Sequence, residues 1–537
     1  MCGIAGLIDY TGGAQAFADT GKRMARALTP RGPDAGGQYV DDLALLVHRR
    51  LIVVDPEGGK QPMESPDGNI ILIYNGELYN TEDLRVMLLA KGHIFRGHSD
   101  TEVLLHAYLE WGTDAFARLN GIYAFALWDK TNRKLILCRD RLGVKPLFYS
   151  RQKDGLVFGS EIKAVLCHPA VQPRVGADGL RSVLLLGPAR PPGFGVFEGI
   201  TELLPGHYAV LTPEGFHLHA YWTLHAAEHP HNPEETLAHT KMLIEDAASR
   251  QLVSDVPLCT FLSGGLDSSI LSMLAARAYK QQNRQLHTWS VDYRDNEKYF
   301  TKSIFQPNSD AEYIQMMVDA IGSEHHEVIL ENAALCAALL PAVDGRDLPG
   351  MADVDSSLLL FCAAVKKGFT VCQSGECADE LFGGYPWYHR EEILFEDTFP
   401  WSRSVDFRLS LLQDGVISKG QEFVRQHYLD TCAAAEKLPG ENRKDSRMRE
   451  MFLLNLRWFM ATLLEGSAAK EKKWEGTHRV PSHTFRKIFL FAAVFFQCFT
   501  DCTRPAGEFD KHFCDAVSQA NFIQIGAENR LAAKQWI

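Results

Sequence analysis

The sequence predicts two units of different class, an α+β unit with a sheet-dominated core followed by an α/β unit with a parallel sheet. Three observations carry this. The first third reads as short apolar strands joined by tight polar turns, with two intervening helical stretches that each end in glycine. From about Leu186 to Trp222 the texture becomes rich in proline and glycine, as in "GPARPPGFGVFEGITELLPG", which suits a connection. Beyond it, apolar strands alternate with long helical patterns, the mark of a parallel sheet covered by helices.

Taken in chain order, "GNIILIYNGELYN" runs from an apolar strand into Asn75-Gly76, a dipeptide that signals a turn. "TEDLRVMLLAKG" and "DTEVLLHAYLEWG" have helical periodicity. "GIYAFALWDKTNRKLILCRD" gives two strands about a short polar connection, and "GLVFGSEIKAVL" a strand and then a helix. In the second unit "NPEETLAHTKMLIEDAASRQL" reads as a long helix. "DVPLCTFLSGGLDSSILSMLAARAY" follows as strand, glycine turn and helix. "HTWSVDY" and "FTVCQSGECADELFGGY" repeat the strand-then-loop arrangement. Ligands of such sheets sit beyond the carboxyl ends of the strands.

The bulk numbers exclude several classes. A chain of 537 residues is long enough for two or more cores, and its 46% apolar and 23% charged content is that of a soluble globular protein. A net charge of −12 argues against a nucleic-acid partner. Twelve cysteines without a CxxC pair indicate reduced thiols rather than a zinc site or a disulfide framework, and with them a cytoplasmic protein. The start lacks a basic leader. The most apolar run, "IFLFAAVFF" at Ile488 to Phe496, is about half the ~20 residues that span a bilayer. It reads as a buried helix or strand, with no membrane partner.

The sharpest chemical signal is "FLSGGLDSS", Phe261 to Ser269. Gly264 and Gly265 allow a tight turn whose backbone N–H groups approach an anion, and Ser263, Ser268 and Ser269 add hydroxyl donors. The following helix points its positive end at the same spot. Asp267 would repel a phosphate unless a divalent cation lay between them, which points to magnesium. No GxxxxGK[ST] occurs, so this is not a Walker loop. "SGECADELFGGY" also follows an apolar strand and places Glu376, Asp379 and Glu380 close together, for a metal or a base.

With these two motifs the second unit resembles the N-type ATP pyrophosphatases and, within them, the synthetase domain of glutamine-hydrolysing asparagine synthetases. The resemblance implies that Leu262, Val291, Ser374 and Gly375 border the adenine nucleotide beside the loop residues Ser263, Gly264, Gly265 and Ser268. It implies that Asp267 and Asp379 hold magnesium-pyrophosphate. Glu376 is implied in forming a β-aspartyl-adenylate and in the attack of ammonia upon it.

That partner bears on the opening "MCGIAG". If Met1 is removed, Cys2 carries both a thiol and a free α-amine, and an amine titrating near ~7.7–8 can take the thiol proton. The oxyanion formed on an attacked amide needs fixed donors, which Asn75 and Gly76 offer as a side-chain amide and a backbone N–H. The first unit resembles the glutaminase half of the N-terminal-nucleophile amidotransferases. The match runs through "MCGIAG", "RGPD" (Arg31–Asp34), "HRRLIVVD" (His48–Asp55), "YNGELYN" (Tyr74–Asn80), "SDTE" (Ser99–Glu102), "RDRLGVKPLFY" and "FGSEIKA". The resemblance implies an αββα sandwich, with Arg50 pairing the glutamine α-carboxylate. Leu51, Ile52, Val53 and Val54 line the pocket, and Glu77 and Asp100 receive the α-amino end.

The expected domains are residues 2–210 (amidotransferase), 211–229 (connection), 230–465 (synthetase) and 466–537, a tail that departs from the family. In that tail no residue is assigned as the family's catalytic lysine, and Cys377 stands where the family usually has glycine. The expected reaction is ATP-dependent transfer of the glutamine amide nitrogen to aspartate, with a homodimer as the family's assembly. The alternatives are another carboxylate as acceptor, or a glutaminase-only or inactive protein on account of the tail.

Overall fold

The computed structural model describes residues 1–300, 310–461, 463–464 and 486–489. The first unit stacks two six-stranded sheets. One has the order β10-β8-β9-β1-β3-β2, from strands β1 (Gly3–Asp9), β2 (Ala35–Val40), β3 (Ala44–Arg50), β8 (Phe148–Gln152), β9 (Gly155–Gly159) and β10 (Thr201–Glu202). The other is β12-β11-β7-β6-β5-β4, from β4 (Met63–Glu64), β5 (Ile70–Leu78), β6 (Gly121–Asp129), β7 (Lys134–Arg139), β11 (His207–Thr212) and β12 (Gly215–Ala220).

Alternation along the strands explains the layers. Side chains point to opposite faces in turn, yet both faces here are apolar. On β1, Ile4 and Ile8 enter the core between the sheets. Ala5 and Leu7 instead join the core beneath helices α1 (Ala18–Ala27) and α4 (Ile162–Val165). On β5, Ile71 and Ile73 face inward, whereas Leu72 and Tyr74 pack under α2 (Thr81–Ala90) and α3 (Asp100–Trp111). Three apolar cores thus bind four layers, helix–sheet–sheet–helix, as expected.

The turn expected at Asn75-Gly76 is absent. β5 runs unbroken to Leu78 and pairs with β6 through Asn75↔Ala124 and Gly76↔Tyr123. Glycine is needed there for close approach. A Cβ on Gly76 would lie 2.5 Å from the Ile122 carbonyl oxygen and 2.6 Å from Tyr123 Cβ.

After helix α5 (Ala177–Leu185) the second unit opens with α6 (Pro233–Arg250). Asn232 Oδ1 accepts from Glu235 N and Glu235 returns a carboxylate to Asn232 N, a capping box. Its sheet is β15-β14-β13-β16-β17, formed by β13 (Leu258–Phe261), β14 (His287–Tyr293), β15 (Glu324–Leu330), β16 (Val371–Ser374) and β17 (Arg486–Phe489). Every pairing is parallel. Helix α7 (Leu266–Gln281) follows β13. Of the apolar run 488–496, Ile488 and Phe489 end β17; its remainder, like most of 466–537, lies outside the described residues. Among the described residues no helix is long and apolar enough to cross a membrane.

The two units are joined through one apolar cluster that contains Leu51, Val53, Ile122 and Val144 from the first and Cys377, Ala378 and Tyr388 from the second. Polar ties reinforce it. Asp55 N donates to Asp255 Oδ2 at 2.9 Å, and Asp255 N donates to the Val53 carbonyl at 3.0 Å. Lys163 pairs with Asp347 at 2.7 Å and Arg250 with Asp83 at 2.7 Å.

Candidate functional site

In the first unit the expected residues gather at one end of the stacked sheets. Cys2 immediately precedes β1, whose Gly3 pairs with Arg49, so Arg50 is its neighbour on β3. His48 Nε2 lies 3.1 Å from the Tyr74 carbonyl, tying β3 to β5 directly before Asn75. Burial pushes His48 down to about 3, so it is neutral at working pH.

The Cys2 thiol is part-buried, with Sγ 3.7 Å from the Leu51 carbonyl oxygen. Arg31 Nε donates to the Cys2 carbonyl at 3.0 Å, and its Nη1 forms a buried ion pair with Glu161 at 2.9 Å. Met1 is 2% exposed, with Lys145 Nζ 2.6 Å from its sulfur. Asn75 is 1% exposed, and its Nδ2 has no hydrogen-bond partner among the described residues. An amide donor left dry in a core costs ~1–3 kcal/mol unless a ligand satisfies it, which suits an oxyanion.

Arg50 is buried and donates to the carbonyls of Pro56 (2.9 Å), Val54 (3.1 Å) and Asp55 (2.6 Å). It therefore shapes the loop that follows it, through Val54, Asp55 and Pro56. Asp34 accepts from Ile52 N at 2.9 Å and fixes the same loop. Asp100, first residue of α3, accepts from Tyr74 Oη at 2.8 Å and Leu78 N at 3.1 Å, while Glu77 is buried on β5. Asp55 accepts from the N–H groups of Gly58, His98 and Ser99, which together with the nearby His98 ring outweigh burial and hold its carboxyl below the usual range.

In the second unit the expected residues cluster at the carboxyl ends of β13, β14 and β16. Leu262 N donates to the Trp289 carbonyl at 2.8 Å. Gly264 has φ +78, and a Cβ there would meet the Asp310 carbonyl at 2.8 Å. Ser268 Oγ accepts from Ser263 N at 3.1 Å and lies 3.0 Å from Ser263 Oγ, which curls the loop over the start of α7 behind Gly265. Ser374 ends β16, and Gly375 packs so closely on α7 that a Cβ would stand 3.0 Å from Asp267 Cβ. Val291 flanks the same ends within a partly buried apolar group with Trp289 and Phe261.

The acids respond to this crowding. Withdrawal from water, reinforced by the Asp379 charge, pushes Asp267 up to about 7. Asp379 keeps an exposed face, yet its surroundings also raise it. Glu376 follows Gly375, its N–H directed at Ser374 Oγ at 3.4 Å. Glu380 is the third of the acids that the sequence offers for a metal or a base. It is fully buried, accepts from Tyr385 Oη at 2.7 Å, and is pushed up to about 8 by burial.

Cys377 adopts φ +77, the left-handed conformation that glycine takes more easily. Its side chain is 3% exposed and belongs to the apolar cluster shared by the two units. Cys377→Gly would relieve ~1 kcal/mol of backbone strain and lose about as much buried surface. The expected melting temperature is within ~3 °C of the parent, with KM for ATP and aspartate unchanged. A tenfold change in either KM would place the thiol in the site.

Fold and sites together define a class II glutamine amidotransferase joined to a synthase of the ATP-pyrophosphatase type. The glutamine amidotransferase domain model matches residues 1–222, and the asparagine synthase model matches residues 239–480. Asparagine synthetase [glutamine-hydrolyzing] 3 of Bacillus subtilis is 47% identical over 470 residues, 87% of this chain and 76% of that protein. Asparagine synthetase [glutamine-hydrolyzing] 2 of the same organism is 31% identical over 72% of this chain and 52% of its own. Among solved structures, the glutamine phosphoribosylpyrophosphate amidotransferase of B. subtilis is 18% identical, covering 61% of this chain and 81% of its own with a TM-score of 0.31. The chain belongs to the glutamine-hydrolysing asparagine synthetase family, which are ligases.

Proposed function

We propose that this chain makes asparagine by moving nitrogen from glutamine on Cys2 to aspartate activated beside the Ser263–Ser268 loop. One observation carries the coupling: the loop closing over Cys2 is held at Val53 and Asp55 by Asp255, which lies just before the strand leading to the nucleotide loop.

With Met1 removed, the Cys2 amine takes the thiol proton, and sulfur attacks the side-chain amide carbon of glutamine. Asn75 Nδ2 donates to the oxyanion. The C–N bond breaks, ammonia leaves with a proton returned by the amine, and water cleaves the thioester to glutamate. Arg50 orients the α-carboxylate, and Glu77 and Asp100 the α-amine. In the second unit the aspartate β-carboxylate attacks the α-phosphorus of ATP and expels pyrophosphate, leaving β-aspartyl-AMP. Leu262, Val291, Ser374 and Gly375 bound the nucleotide, and Gly264, Gly265 and the serines cradle its phosphates. The facing carboxylates Asp267 and Asp379 fit a magnesium ion, which would neutralise the departing pyrophosphate. Glu376 takes the proton released as ammonia displaces AMP. The apolar cluster between the units gives ammonia a dry route, and dryness keeps it unprotonated. Buried thiols such as Cys138 and Cys259 favour a cytoplasmic setting, and assembly as a homodimer belongs to the same proposal.

The test is pyrophosphate release with aspartate and ATP, run with glutamine and again with ammonium. Release in both, with asparagine as product, is expected. Glutaminase activity without aspartate-dependent release would instead assign a glutaminase alone, and release driven by another carboxylate would reassign the acceptor.

A further inference from the structure

His287 opens β14 and Glu324 opens β15, and the parallel register sets them side by side with Trp289 opposite His326 two residues on. Strand side chains alternate, so His287, Glu324 and His326 share one face at the amino ends of the two strands. They converge on one trio of atoms. His287 Nδ1 lies 3.0 Å from His326 Nε2 and 3.7 Å from Glu324 Oε1, and His326 Nε2 lies 3.5 Å from that same oxygen. Ligands of a tetrahedral ion with bonds of ~2.0–2.1 Å stand ~3.3–3.4 Å apart, so the triangle has the size of one face of such a sphere.

The neighbouring His325 faces the other way, with Nδ1 2.9 Å from Thr288 Oγ1 and Nε2 3.1 Å from Ser290 Oγ. Trp289 stacks on the His326 ring at 4.4 Å, and Phe369 lies 4.8 Å from the His287 ring, so aromatic neighbours hold both imidazoles in place. β15 is the sheet edge and Glu324 is exposed, which leaves room for a further ligand from solvent.

We propose that His287, Glu324 and His326 bind one divalent cation of the zinc type, with water in the remaining position. Two imidazole nitrogens and a single carboxylate suit such a borderline ion, whereas magnesium and calcium take oxygen ligands. The triad is independent of the proposed reaction, since it sits at the opposite end of the strands from the Ser263–Ser268 loop. A bound ion would clamp the edge strand onto β14.

The experiment uses the full chain, stripped of metal and titrated with zinc chloride by calorimetry. The parent is expected to bind one equivalent more than the His287→Ala/His326→Ala double variant. Glu324→Gln, a conservative change at an exposed position, should weaken that equivalent by ~10-fold or more. Titration with cobalt should give the intense visible bands of a four-coordinate site in the parent alone. Melting curves without metal and glutaminase rates, read in the other unit, establish that the variants are folded. Identical isotherms in parent and folded variants, or the weak six-coordinate cobalt spectrum in both, would overturn the site.

Discussion

Alanine in place of Cys2 is expected to lower glutamine-dependent synthesis by more than ~10³-fold while ammonium-dependent pyrophosphate release continues. The reason is local. The atom that faces the sulfur is the Leu51 carbonyl oxygen at 3.7 Å, which cannot carry a proton away at neutral pH. The nearby cationic side chains, Arg31 and Lys145, are donors rather than bases. On the proposed reading the terminal amine of Cys2 is the base, and one residue holds both halves of the proton transfer. Loss of the thiol leaves the second unit untouched, because its acids and serines come from other strands. Continued glutaminase activity in the alanine variant would sink the assignment of Cys2.

Asp267→Asn should raise stability and, like the Cys2 variant, lower synthesis. Asp267 is pushed up to about 7 by its withdrawal from water and by Asp379. A carboxyl whose folded pKa lies above its ordinary ~3.9 binds protons better folded than unfolded. Folded stability is therefore lost as pH climbs from about 4 through 7, and the loss is complete above that. Asparagine removes the charge. The ligand-free variant should gain about 1–3 kcal/mol at pH 8, a figure discounted for the partial exposure of both carboxylates, and nothing near pH 4. Synthesis should fall by more than ~10²-fold, because on the proposed reading one of the two carboxylates that hold magnesium-pyrophosphate has gone. Thermal melts at pH 4 and pH 8 without ATP decide it: equal melting temperatures at pH 8 would show that the two acids do not strain the fold. The pattern is that of a site which trades stability for function.

Much of this arrangement was legible in the residues because it rests on short-range rules. The helical pattern of "NPEETLAHTKMLIEDAASRQL" announces α6, and the glycine turn between an apolar strand and a helix announces the nucleotide loop. Where long-range contacts decide, local sequence is silent. Asn75-Gly76 signals a turn by its dipeptide, but its glycine is there to let β6 come close, a fact held by Ile122 and Tyr123 far along the chain. Glu380 reads as a helix-start acid until Tyr385 and the core enclose it. The histidine–glutamate triad is invisible in "HTWSVDY" alone, since parallel strands join residues 287 and 324 only through a crossover.

Met1 lies 2% exposed, with Lys145 and Arg31 directed at its sulfur. On the proposed reading the Cys2 amine must be free, so Met1 has to leave before this packing closes over it. Intact-mass analysis then gives the fraction of molecules whose Cys2 amine is free, and that fraction should match the fraction competent to hydrolyse glutamine.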